Sequence, residues 1–285
     1  MAARGPAAGH PGLTPPRVGR DGTLLLRVER CGARNVLSGC RWTMPLQVLA
    51  PIALDDPAAI VSILNPTGGL VGGDRLAIDV TVGAAAHACL TTPSATKVYR
   101  TAGDAAEQTV RLQLAPKARL EWVPDHTIPF AGSALRQRIE AEVAEGATLV
   151  LLDAFAAGRV ARGEAWRFAL LDSTLSIRDA RGFILHDRLV LRDGTLGPGL
   201  GVAQDRPYVA TLAVVTDAAV GGFIDDVAAL AADDVDVGAA CLARRGALVR
   251  CLAANAPALA RTLDAVWASA RRRVLGLPPL ALRKP

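Results

Sequence analysis

Short runs of alternating apolar and polar residues, each stopped by Gly, Pro or Asp, constrain the fold of this chain more than any other feature. RLAIDVTV sets Leu76, Ile78, Val80 and Val82 on one side. QTVRLQLA does the same with Val110, Leu112 and Leu114, and ARLEWVP with Leu120, Trp122 and Pro124. Period two places successive side chains on opposite faces, which is the signature of a half-buried strand. ALRQRIEAEV, ATLVLLDAFAAG, WRFALL, STLSIRD and FILHDRLVL continue the texture without helical patterns between them, so the body is expected to be mainly β. VTVGAAAHACL and EVAEGATLVLL, with LQLAPKARLEWV as a looser third, repeat one phrase: strand, tight turn, small residue, strand. Such repetition predicts a layered or solenoid-like stack, although three ordinary hairpins would read alike.

The texture changes near Gly221. GGFIDDVAALAADD carries Phe223, Val227 and Leu230 at helical spacing, with Asp225 and Asp226 suited to a first turn. VDVGAACLAR and ALVRCLA read as two strands joined across Arg245-Gly246. APALARTLDAVWASARRRVLG aligns Leu259, Leu263, Val266, Trp267, Ala270 and Val274 on one helical face. Three arginines, Arg271 to Arg273, fall in its last turns, where a helix C-terminus favours positive charge, and Gly276 and Pro278 end it. These elements divide the chain into a tail over 1–22, expected to be disordered, and a single domain over 23–285. The β body of that domain runs to about 218 and its helix-containing part over about 219–278.

At 51% hydrophobic but 4% aromatic content, 285 residues can fill a core with Ala, Val and Leu. The net charge of +5 comes from scattered arginines, so no nucleic-acid footprint is expected. Five cysteines without a C-x-x-C indicate neither a zinc site nor a disulfide scaffold, and fit a reduced, cytoplasmic setting. No run of about 18 apolar residues reads as a membrane span. The first residues lack the apolar core of a secretory signal.

LNPTGGLVGGDRL looks like a phosphate loop and fails the test. Gly68 and Gly73 have P-loop spacing, but Asp74 stands where the lysine should be. No G-x-G-x-x-G, G-x-S-x-G or H-E-x-x-H occurs, and the four histidines are far apart, so no hydrolase or kinase chemistry is indicated. What remains is a set of polar groups among apolar strands: Asp74, Arg75, Thr91, Thr92, Lys97, Tyr99, Arg100, Glu121, Asp125, His126, Asp153, Arg159, Arg162 and Glu164. Each must pair, face water or line a passage, because uncompensated burial costs several kcal/mol. His87 and Cys89 form H-x-C, which on a strand faces both side chains one way, and imidazole and thiolate suit late divalent metals. Two ligands support only a weak or transient metal contact.

LNPTGGLVGGDRL, AHACLTTPSATKVYR, LEWVPDHTIPF and GRVARGEAW stand in the order and spacing of the UreD family of urease accessory proteins, called UreH in some systems, and the chain resembles that family from about Arg27 to the C-terminal helix. The resemblance implies a non-enzymatic chaperone of metallocenter assembly with a β-helix-like stack of strands and a pair of helices in the C-terminal region. It implies binding to nickel-free urease, recruitment of the GTPase UreG through UreF, and nickel insertion through an internal water-filled passage. No tightly bound cofactor follows from it, only transient nickel. By motif, Gly68, Gly69, Gly72, Gly73, Asp74 and Arg75 would form a signature turn. Thr91, Thr92, Lys97, Tyr99 and Arg100 belong to the second motif, and Arg159, Gly163 and Glu164 to the third. Asp74, Asp153, Glu164 and Arg159 are the candidate passage lining, and His87, Cys89 and His126 the candidate weak nickel contacts. His126 departs from the glutamate many members carry there. A pure interaction scaffold without a nickel path is the competing expectation.

Overall fold

The computed structural model describes residues 20–52, 54–192, 203 and 205–282. The expected tail lies outside the described residues up to position 19, and from Asp21 the chain is already in a strand. β1 (Asp21–Cys31) and β2 (Arg34–Trp42) form an antiparallel hairpin, and β3 (Gln47–Val48) pairs antiparallel with β4 (Ala59–Leu64). From β4 the chain winds. β5 (Gly69–Leu70) and β6 (Arg75–Val82) complete the first turn, and β7 (His87–Thr91), β8 (Thr96–Val98) and β9 (Ala106–Leu114) the second. β10 (Arg119–Trp122), β11 (Thr127–Pro129) and β12 (Ala134–Val143) make the third. The fourth is β13 (Thr148–Ala156), a 3-10 turn at Val160–Arg162, and β14 (Leu170–Asp179).

Equivalent strands stack in parallel: Ala59 beside Ala88, His87 beside Arg119 and Arg119 beside Thr148, steps of 29, 32 and 29 residues. β6, β9, β12 and β14 build the first sheet, with β1 and β2 beyond β6. β4, β7, β10 and β13 build the second, and the short β5, β8 and β11 form a corner between them. The result is a mainly β, solenoid-like stack of about four turns, as the repeated phrases and the family resemblance anticipate.

The hairpin alternative fails because each phrase carries the chain from the first sheet to the second. Its tight turn puts one residue in the left-handed region at the same place in each coil: Ala85 (φ 53°), Lys117 (φ 60°) and Gly146 (φ 68°). Glycine takes that conformation freely, whereas Ala and Lys do so at about 1–2 kcal/mol. The small residue that follows, Ala86, Ala118 or Ala147, is fully buried. Ala85 N–H donates to Pro116 O and Lys117 N–H to Glu145 O, both at 3.1 Å, so the turns bond to one another along the stack.

β15 (Gly182–Arg192) closes the first sheet as a hairpin with β14. β16 (Tyr208–Val215), β17 (Val235–Cys241) and β18 (Ala247–Ala253) extend the second sheet beyond β13, and β17 and β18 are the strand pair expected across Arg245-Gly246. α1 (Gly221–Ala228) and α2 (Ala256–Ala270) lie on the outer face of that sheet. One core, with Leu24, Val80, Leu112 and Ile139, fills the space between the sheets. A second, with Val150, Leu152, Phe223, Leu259 and Trp267, joins the second sheet to the helices. β13 is therefore covered on both faces, which is why its sequence is an almost unbroken apolar run.

Two readings of the helices need correction. Asp225 and Asp226 sit past the first turn of α1, which starts at Gly221. Asp226 instead accepts bonds from Arg273 at 2.9 Å and Ser269 at 2.6 Å, and Arg273 first, then Ser269, hold its carboxyl far below the usual range. Nor do all three arginines act as charges at a helix C-terminus: Arg272 and Arg273 are exposed there, but Arg271 is not. Beyond α2 a π-helical turn spans Arg271–Leu275 and turns Arg271 inward, where it is 0% exposed.

Candidate functional site

Motif residues as far apart in sequence as Gly69 and Glu164 meet at the corner of the solenoid. Gly69 pairs with Lys97, and Lys97 with Ile128. A side chain at Gly69 would place its Cβ 2.3 Å from the Lys97 carbonyl oxygen, so the glycine permits the coils to approach. Tyr99 caps the same turn by donating its hydroxyl to Gly68 O at 3.4 Å, and its ring packs edge-on against Phe130 at 5.2 Å. Arg159 lies 4.2 Å over the other aromatic, Phe130, and donates to Glu164 at 2.8 and 2.6 Å. That pairing holds the Glu164 carboxyl below its ordinary range. Glu164 follows the 3-10 turn capped by Gly163 in the left-handed conformation. Arg75 pairs loosely with Glu107 at 3.7 Å, Thr91 donates to Val123 O at 2.8 Å, and Thr92 accepts from Asp125 N–H at 2.8 Å. Lys97 and Arg100 are exposed.

Asp74 is buried, and its two oxygens accept the backbone N–H groups of Arg20 and Val71, each at 2.9 Å. This is the turn-anchoring geometry, in which the aspartate satisfies local backbone.

A polar file runs inside the solenoid. Along the inner face of the first sheet, the row of Ile78, Val110, Ile139 and Leu175 is apolar, but the next row reads Leu76, Gln108, Gln137 and Ser173. From the opposite sheet Asp153 points into that row. Gln137 donates to Asp153 Oδ1 at 2.9 Å, Ser173 donates to Oδ2 at 3.1 Å, and Gln108 donates to Gln137 at 3.2 Å. A cavity of about 70 Å³, room for several waters, lies against Gln108, Gln137, Asp153, Thr92, Thr96 and Trp122. The Trp122 indole N–H is buried with no partner among the described residues, as expected of a wall that is wet in solution. On its far side Asp153 borders a second, smaller cavity of about 10 Å³ with Ser173, Thr211, Asp187 and Arg250. Burial raises the Asp153 carboxyl to about 6. Of the four candidate lining residues, Asp153 lines both cavities, whereas Asp74, Arg159 and Glu164 are absent from both walls.

The candidate nickel contacts sit elsewhere. His87 and Cys89 do face one way, toward the helices, and Cys89 belongs to the second core. The His87 ring nitrogen Nε2 lies 2.9 Å from Glu121 Oε1, which makes it the donor to a carboxylate. Glu121 is the centre of a buried network: Arg271 donates to Oε1 at 2.7 Å, Trp267 Nε1 donates to Oε2 at 2.7 Å, and Arg271 also pairs with Asp56. His126 packs on Tyr208 at 6.0 Å between centroids. Among the described residues no three His, Cys, Asp or Glu side chains are grouped to hold a metal.

Sequence reasoning missed Gln108, Gln137 and Ser173, although the signal was present. Each is in phase with the inward apolar residues of its strand: Gln108 with Val110 and Leu112, Gln137 with Leu135 and Ile139, and Ser173 with Leu171 and Leu175. A polar residue at an inward position must have inward partners.

The model of the family described as UreD urease accessory protein matches residues 20–285. The chain is 35% identical over 272 residues to the urease accessory protein UreD of Alkalilimnicola ehrlichii, covering 94% of this chain and 92% of the relative. It is 31% identical to that of Klebsiella aerogenes, covering 95% and 98%. To that of Deinococcus radiodurans it is 35% identical, covering 84% and 86%. With a fold, a motif corner and a full-length match that agree, this chain belongs to the UreD urease accessory protein family.

Proposed function

We propose that this chain is a non-enzymatic maturation factor for urease, acting in the cytoplasm. It binds nickel-free urease and, with UreF and through it UreG, supports nickel delivery to the urease active site. The observation that carries the delivery reading is the internal polar file from Gln108 through Gln137 and Asp153 to Asp187, set beside the apolar core between the sheets. Oxygen ligands spaced along water-sized cavities offer a divalent cation weak successive contacts, and strong multidentate binding would trap it. The file would serve nickel as cargo in transit and hold no resident cofactor. For partner binding, Trp42, Met44 and Leu49 are exposed large hydrophobics near the edge formed by β2 and β3. Among the described residues no helix is long and apolar enough to cross a membrane.

A pure docking scaffold is the second reading, and one observation favours it: the guanidinium of Arg250 stands across the far end of the file, where it repels a cation. Asp153→Asn separates the two. With urease and the other accessory proteins co-expressed, the variant should still co-purify with urease while nickel per urease active site falls severalfold. Full nickel loading by the variant would leave the scaffold reading.

A further inference from the structure

The outer face of the first sheet carries charged residues in rows that run across the strands. One row reads Arg75, Glu107, Arg136 and Asp172, and another reads Asp79, Arg111 and Glu140. Opposite charges meet along both. Arg75 and Arg136 share Glu107 at 3.7 and 3.9 Å, and Arg111 lies 3.4 Å from both Asp79 and Glu140. Asp172 accepts from Arg188 of β15 at 3.2 and 3.0 Å. The row between them breaks the pattern. It reads Ala77, Thr109, Arg138, Thr174 and Arg188, so two guanidinium side chains flank one threonine and no acid stands in the row. Arg138 is exposed and has no partner among the described residues. Opposite charges on neighbouring strands stabilise a sheet, and an arginine set between two threonines forgoes that gain.

A depression of about 250 Å³ lies over this break, against Arg136, Arg138, Arg188, Asp172, Thr174 and His186. Three guanidinium groups meet one carboxylate there, and that carboxylate already holds Arg188. Arg138 and Arg188 stand two strand spacings apart, about 10 Å, a separation across which their side chains can converge on one anion. We infer that the depression receives a carboxylate side chain of nickel-free urease, and that the outer face of the first sheet is where urease docks. That docking role rests on the urease reading above and adds its surface. Exposed guanidinium groups hold a free anion by only about fivefold or less per pair. The same charges discriminate strongly once a partner's surface excludes water from them, so the occupant is a protein and not a small ion. Seven strands, with eight residues in β6, make the face roughly 29 Å by 26 Å, or about 750 Å². Each side of a standard interface gives about 800 Å². Rows of mixed charge suit a contact that is later released, because transient interfaces are more polar than obligate ones. A maturation factor must leave urease once nickel is in place.

The test titrates nickel-free urease against the full chain at low and high salt. Arg138→Glu should weaken binding at least about thirtyfold, the loss expected when one partner of a desolvated charge pair is removed. Arg138→Lys keeps the charge without the planar fork and should lose less than about tenfold. Binding by the parent should weaken as salt rises, and binding by Arg138→Glu should depend on salt less steeply. Arg138 has no partner among the described residues, so Arg138→Glu should keep the parent's urea midpoint, which separates lost docking from lost folding. Inorganic phosphate titrated into the free chain should show no binding that depends on Arg138. Phosphate binding that Arg138→Glu abolishes, with urease binding unchanged, would make this a small-anion site and overturn the docking role. Equal urease affinity of Arg138→Glu and the parent overturns it too, and leaves the maturation role standing because the parent still binds urease. A parent that does not bind nickel-free urease removes the urease reading itself.

Discussion

Replacing Arg271 by Met tests how the helical layer is fastened to the solenoid. Arg271 is 0% exposed, donates to Glu121 at 2.7 Å and to Pro278 O at 2.9 Å, and pairs with Asp56. Met fills most of the volume but leaves two carboxylates buried against each other's field. Removing one partner of a buried ion pair costs about 3–5 kcal/mol, because the remaining charge keeps its desolvation penalty. Here Glu121 retains Trp267 and His87 as donors, which lowers the expectation to about 4 kcal/mol. With a urea slope of roughly 3 kcal/mol/M, the unfolding midpoint should fall by about 1.3 M. A cycle with Glu121→Gln checks the cause. The double variant should recover about 1–3 kcal/mol relative to the sum of the singles, since neutralising Glu121 removes the orphaned charge. The alternative, an arginine that merely complements a helix C-terminus, predicts a loss of at most about 1 kcal/mol and additivity. A midpoint shift below about 0.3 M, or an additive cycle within about 0.5 kcal/mol, would refute the buried-network account.

Three further outcomes follow from the geometry. Asp153 is raised from 3.8 to about 6, so the native state holds its proton more tightly than the unfolded chain; stability from this group is present below about pH 4 and lost as pH rises through 6. Asp153→Asn should therefore be more stable than the parent at pH 8, by up to about 3 kcal/mol, and equal to it near pH 4, as read by urea denaturation at both values. Gly69→Ala forces a Cβ to within 2.3 Å of Lys97 O and should cost about 1–3 kcal/mol in thermal or urea unfolding; an unchanged midpoint would show that the coils do not approach as described. Lys117→Gly relieves a left-handed residue at φ 60° and should raise stability by about 0.5–1 kcal/mol, whereas a loss would deny that the repeated turns share one conformation.

Much of the fold was legible because local chemistry and global topology agree. The alternation of RLAIDVTV and QTVRLQLA is the pleat of β6 and β9, and the repeated small residues Ala86, Ala118 and Ala147 are the buried stack at each turn. The sequence alone could not separate stacked coils from hairpins, since that choice depends on which sheet receives the strand after the turn. Glu121 shows the limit best. Period two correctly put Leu120 and Trp122 on the inner face and Glu121 on the other, but nothing local says that the other face is covered by α2. Arg271 was misread for the same reason: its partners are 150 and 215 residues away. The motif corner was recognisable as a motif and opaque as geometry, because Gly69, Tyr99, Phe130 and Arg159 meet only when the coils stack. The polar file needed no partner information to be noticed, only attention to the phase of Gln108 and Gln137.

The most direct test of the account is nickel in urease. Urease should be co-expressed with its other accessory proteins, with and without this chain, its nickel content and activity measured, and the GTPase sought in a urease pull-down. The account predicts nickel-poor, inactive urease and loss of the link to the GTPase when the chain is omitted. Normal nickel content and activity without it would contradict a role in urease maturation.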